Sequence, residues 1–121
     1  MGDIQMGANE TRFARIIWHS EPIQSTDLAK QAEAVLSWKK TTAYTVLKRL
    51  CDKGIFQNRK GTVTSLISEA EFYAIQSENF VEDTFQGSLP AFLAAFSSRK
   101  SLSREAVAQL RRMVEDYEEE P

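Results

Sequence analysis

The sequence is short of the residues on which most small-protein chemistry depends. Its 121 residues include one cysteine, Cys51, and one histidine, His19. A lone cysteine allows no disulfide within the chain and no cysteine-paired metal site. A zinc site of His and Cys would need nearly all of its ligands from other residue types, so no metal is expected. No apolar run approaches the roughly 18 residues of a membrane span. The N-terminus shows no signal-peptide pattern, so the expected location is cytoplasmic, with no membrane partner. A glycine-rich phosphate loop, a nucleophile–base pair and an apolar pocket with paired carboxylates are all missing from the pattern. Catalysis is therefore not expected, and neither is a cofactor. His19 and Cys51 read as structural, Cys51 lying close to the apolar face of a helix.

What is present is ordinary for a globular protein: 42% hydrophobic and 26% charged residues, enough for one domain or a small domain with an appendage. The net charge of −2 hides an uneven distribution. Residues 1–68 hold ten Lys/Arg against six Asp/Glu, and residues 69–121 hold five against eleven. A basic half and an acidic half imply two jobs, one surface that meets phosphates and one that stays off them.

The stretch from Trp38 to Gly54 carries the clearest pattern. Ala43, Val46, Leu47 and Leu50 recur at helical spacing and form one apolar face. Lys40, Thr41, Tyr44, Thr45 and Lys48 occupy the other. Gly54 stops the helix, and Lys53 stands in the last turn, where the helix dipole favours a cation. A basic, hydroxyl-rich face anchored by its opposite side is what a recognition helix in the major groove needs. The same face also fits an ordinary solvated helix surface.

Around it the chain reads as follows. A helix is expected over residues 8–19, with Phe13, Ile16 and Ile17 as its stripe, Asn9 or a neighbour as cap, and Pro22 beyond its end. Ser25 is the expected cap of a second helix that buries Leu28, Ala29, Ala32 and Val35 or Leu36. Ser37 ends that helix or caps the next. Two short helices, the second basic outside, form a helix-turn-helix pattern, although no glycine marks the turn. Ile55-Phe56 and residues 63–67 flank Arg59-Lys60-Gly61 and read as a two-stranded hairpin with a basic tip. Helix-turn-helix plus hairpin is a winged helix, unless the tip is charged only for solubility.

Ser68-Glu69-Ala70-Glu71 is a capping box that opens a long helix, ending at Gly87. A short helix follows near Pro90, with Leu89, Phe92, Leu93 and Phe96 on one side. Ser103 caps a last helix striped by Val107, Leu110, Val114 and Tyr117. Three such helices bury little by themselves, and small domains are marginal. Two chains interlocked through Phe80, Phe85, Phe92 and Phe96 would remedy this, as would a monomeric bundle packed on the N-terminal half. The expected fold class is mainly α with a small β-hairpin. A winged helix-turn-helix domain at residues 1–67 precedes a helical dimerisation region at residues 68–121.

Several residues together resemble one bacterial family, that of the penicillinase and methicillin-resistance repressors, which also includes copper-transport repressors. They are Ile16-Ile17-Trp18, then Trp38, Thr42, Thr45, Leu47, Arg49-Leu50 and Lys53-Gly54-Ile55. Leu66-Ile67-Ser68 with Glu69 and Glu71, Phe85-Gln86-Gly87-Ser88, Leu93 and Phe96 continue the match. The resemblance implies a homodimeric repressor on an inverted-repeat operator with TACA/TGTA half-sites. It places Thr42, Thr45 and Arg49 on or beside the DNA-facing helix, with Arg49 alternatively holding that helix to the rest of the fold. A sensor or antirepressor protein is a further partner it implies. Phosphate contacts fall to Lys39, Lys40, Lys48, Arg59 and Lys60, and base edges to Thr41, Tyr44, Thr45 and Lys48. The alternative is a winged-helix module that binds protein and not DNA.

The chain departs from the family at several points. Lys39 replaces a capping serine and Gln24 a frequent threonine, the wing is short and lacks tyrosines, and no cysteine pair lies near the C-terminus. Ala95-Phe96 stands where the resistance repressors are cut at Asn-Phe. Release by that cleavage or by copper is accordingly not expected.

Overall fold

The computed structural model describes residues 5–119. Helix α1 spans Ala8–Ser20, strand β1 Ile23–Gln24, helix α2 Ser25–Leu36 and helix α3 Lys40–Asp52. Strands β2 (Phe56–Arg59) and β3 (Thr62–Ser65) follow, then helices α4 (Glu69–Phe85), α5 (Leu89–Arg99) and α6 (Arg104–Glu119). The sheet is antiparallel throughout, in the order β1-β3-β2. The winged helix is thus present, with one strand more than the hairpin read from sequence. In β1, Ile23 lies opposite Val63 and Gln24 opposite Thr62. The expected second hairpin strand ends early, at Ser65, and the amides of Leu66 and Ile67 both donate to the Ile55 carbonyl.

Helical periodicity explains the core. Phe13 and Ile17 from α1, Leu28 from α2 and Leu50 from α3 meet Phe56 and Val63 from the hairpin, all of them buried. Each such side chain contributes about 1.5–3 kcal/mol when fully removed from water. Trp38, in the turn between α2 and α3, stacks on Phe13 with ring centroids 5.0 Å apart. Trp18 packs on Phe56 at 5.2 Å and on Phe72 of α4 at 5.4 Å, and its indole N–H donates to the Ile67 carbonyl at 2.9 Å. The acceptor suits a half-buried tryptophan, because an unpaired donor in an apolar setting is costly.

The helix ends correct several expectations. Ser25 does not cap α2 but is its first residue; Gln24 holds the cap position and gives no side-chain bond. The Ser25 amide is instead taken by the Gly61 carbonyl at 2.7 Å, so the wing turn does the work a capping side chain would do. Gly7 holds the cap position of α1, again without a side-chain bond, in place of Asn9. Val35 is 58% exposed, and Leu36 is the residue that packs on the core. Ser37 takes the left-handed conformation (φ 59°) that glycine usually supplies, and its amide and that of Trp38 donate to the carbonyls of Glu33 and Ala32. Ser68 caps α4 as read, its hydroxyl accepting from the Glu71 amide at 3.1 Å.

The boundary between two compact units falls between Asn79 and Phe80. In the second, Ser88 caps α5 and Ser103 caps α6, each accepting from the amide three residues on. Phe80, Phe85 and Phe92 stand in mutual edge-on contact at 5.7–6.1 Å, and Phe96 lies 6.1 Å from Phe92. Neither α5 nor α6 contains a buried residue.

Candidate nucleic-acid interface

Helix α3 is divided along its length. Ala43, Val46, Leu47 and Leu50 are buried, which fixes the helix in rotation. Lys40, Thr41, Thr42, Tyr44, Thr45 and Lys48 are all exposed. Lys39 holds the cap position with extended backbone and no side-chain cap bond, and no acidic residue stands in the first turn. The leading amides of α3 therefore have no side-chain acceptor and lie beside two lysines, an arrangement that favours an anion.

Two of the exposed side chains have local partners. The Thr45 hydroxyl donates to the Thr41 carbonyl at 2.8 Å, which commits its proton and leaves the methyl group and lone pairs to meet a ligand. Lys48 pairs with Asp52, one turn on, at 3.2 Å. This exposed pair is weak and exchanges readily for a phosphate. Arg49 stands at the edge of this set, and its guanidinium turns to the Glu10 carboxylate on α1, 3.7 Å away. Of the two roles open to Arg49, the one holding the helix to the fold matches this geometry.

The wing tip is a two-residue turn, with Lys60 at φ 52° and Gly61 at φ 91°. Positive φ at both central positions gives the twist that matches a tight hairpin. Asn58, not singled out from sequence, shapes the tip: its side-chain carbonyl accepts from the Gly61 amide at 2.9 Å. Asn two places before a Lys-Gly tip was the available signal. Arg59 and Lys60 are exposed, and the Arg59 Nε donates to the Gln57 side chain at 3.2 Å. The same compact unit thus carries α3 and the wing, while Phe80, Phe85, Phe92 and Phe96 gather in the other.

His19 is tied to the start of α4, its Nε2 3.0 Å from the Glu69 carboxylate, which also lies 3.6 Å from Arg15 Nε. Burial, and then the nearby Asp52 carboxylate, push the Cys51 thiol above its ordinary range. Among the described residues no group of three or more His, Cys, Asp or Glu could hold a metal ion.

A family model for the penicillinase repressor matches residues 6–116. The chain belongs to the penicillinase repressor family. That family is one of transcriptional repressors and not of enzymes. The penicillinase repressor of Bacillus licheniformis is 26% identical over 117 residues, spanning 93% of this chain and 91% of that protein. The solution structure of the DNA-binding domain of the repressor BlaI superposes with a TM-score of 0.52 at 25% identity, over 55% of this chain and 87% of that one. Against the penicillinase repressor family pattern, the changes at Gln24 and Lys39 coincide with helix starts that lack side-chain caps. Ala95-Phe96 lies within α5, with Phe96 45% exposed.

Proposed function

We propose that this protein represses transcription by binding, as a homodimer, an inverted-repeat operator with TACA/TGTA-like half-sites. One observation carries the reading: every candidate contact residue on α3 and the wing is exposed, while the opposite side of α3 is sealed into the core. Lys39, Lys40, Lys48, Arg59 and Lys60 meet phosphates and supply the salt-dependent affinity. Thr41, Tyr44, Thr45 and Lys48 face the base edges of the major groove, where hydroxyls and methyl groups discriminate between bases, and Thr42 stands on or beside the same helix face. In this reading residues 1–67 bind DNA and residues 68–121 dimerise through Phe80, Phe85, Phe92 and Phe96. A two-fold protein then matches a two-fold operator.

The protein acts in the cytoplasm, where its operator is, and needs no cofactor. No described helix is long and apolar enough to cross a membrane. A sensor or antirepressor protein delivers the inducing signal by some route other than Asn-Phe cleavage or copper, since the required residues are replaced.

Titration of the protein against a duplex carrying a TACA/TGTA inverted repeat and against a scrambled duplex, at several salt concentrations, tests the reading. Tight, salt-sensitive and sequence-selective binding is expected. Lys40→Ala should weaken both complexes and flatten the log K against log salt slope by about 1. Equal, salt-insensitive behaviour on both duplexes would overturn the reading in favour of a protein-binding module. A species that stays monomeric in light scattering at tens of micromolar would remove the homodimer.

A further inference from the structure

The two cations at the end of α3 are not disposed like those on its outer face. Arg49 Nη1 lies 3.7 Å, and Lys53 Nζ 4.0 Å, from the same oxygen, Oε2 of Glu10. That oxygen is buried and makes no hydrogen bond among the described residues, where the charge of these two groups is its compensation. Lys53 is further held by donating to the Gln5 carbonyl at 2.6 Å. The Glu10 side chain is largely buried and that of Arg49 half exposed. Arg49 lies one turn beyond Thr45 on α3, within a long side chain's reach of the groove-facing surface. Among the described residues, the Glu10 carboxylate is the group that holds the Arg49 guanidinium.

We infer that Glu10 is a specificity-determining residue: it keeps Arg49 out of the set of cations that meet phosphates, while Lys53 stays tied to the Gln5 carbonyl. The inference rests on the DNA-binding reading above. Non-specific affinity is almost wholly a matter of how many cations reach the backbone, whereas specific affinity also includes base contacts. A repressor that must leave random DNA gains selectivity by withholding cations that are not needed for register. One acidic side chain withholds Arg49 here and ties the last turn of α3 to α1. The charge is neutralised from inside the fold, so the outer face of α3 stays free of acid except at Asp52.

The test uses the full chain and two duplexes, one with a TACA/TGTA inverted repeat and one scrambled. Glu10→Gln keeps the shape and removes the charge. The freed guanidinium should then reach a phosphate. Binding to the scrambled duplex should tighten roughly three- to tenfold at low salt, its log K against log salt slope should steepen by about 1, and operator selectivity should fall. Glu10→Gln with Arg49→Gln should restore the slope and most of the selectivity, which a merely structural role for Glu10 would not. Thermal melts of both variants record the folded fraction for normalisation. Three results overturn the inference: a parallel loss of both affinities with unchanged slope in the single variant, selectivity equal to that of the wild type, or a slope that stays steep in the double variant. Wild-type protein that binds neither duplex overturns the DNA-binding reading and this inference with it. Wild-type binding with any of the three results overturns this inference alone.

Discussion

The two compact units hold their aromatic residues in opposite ways. In the first, Phe13, Phe56 and Phe72 are wholly buried and two tryptophans pack against them. In the second, four phenylalanines touch one another, yet Phe80 remains 51% exposed and Phe96 nearly as much. Val114 and Tyr117 on α6 are exposed further still. Ring contact is therefore not the same as a core. The first unit closes its apolar surface with layers from three helices and a sheet. The second assembles the same residue types from helices alone and leaves an apolar surface of the kind that marks an interaction site. One unit has a buried core of its own; the other has the composition of half a core, which is the physical basis of the proposed homodimer.

The largest effect that would sharpen this contrast is on the first unit. Phe72→Ala should destabilise it by about 3–5 kcal/mol, since the side chain is fully buried. The loss, read from denaturant or thermal unfolding, should not depend on protein concentration. Phe92→Ala should act differently. It touches Phe80, Phe85 and Phe96, so on a second chain's packing its removal should weaken dimerisation by roughly 2–4 kcal/mol. Sedimentation should show the monomer fraction rising on dilution, and the melting temperature should become more sensitive to concentration. A dimer fraction equal to that of the wild type at the same concentration would erase the distinction between the units.

Smaller effects test the surface of the first unit. With the Thr45 proton committed to Thr41, its methyl group is the outward feature. Thr45→Ala should cost operator binding about 1–3 kcal/mol and leave scrambled duplex unaffected, while Thr45→Val should retain most of the affinity. A large loss for Val would instead assign a base contact to the hydroxyl lone pairs. The smallest expected change is a gain: Ser37→Gly relieves a left-handed conformation at the end of α2 and should stabilise the first unit by about 0.5–1 kcal/mol in thermal unfolding.

Local signals were legible in the sequence and distant pairings were not. The faces of α3, the hairpin tip and the caps at Ser68 and Ser103 depend on residues within a few positions of one another, and spacing reveals such features. Strand β1 is two residues long and exists because β3, some forty positions on, bonds to it. Ser25 has the chemistry of a cap, but the Gly61 carbonyl had already taken its amide, a tertiary fact. The exposed site residues followed from periodicity. That Glu10 holds Arg49, from a different helix, did not, because no period connects them. Val35 and Leu36 were interchangeable in sequence, since both follow Ala32 at helical spacing, and packing on the core covers Leu36.

The placement of the tryptophans has a practical consequence. Both of them, Trp18 and Trp38, lie in the first unit, wedged against Phe72, Phe56 and Phe13, and the second unit has none. The protein carries its own optical label on one unit alone. Indole emission should follow the opening of that unit and stay silent while the helices beyond it associate or part, so the two events can be timed separately in one unlabelled sample.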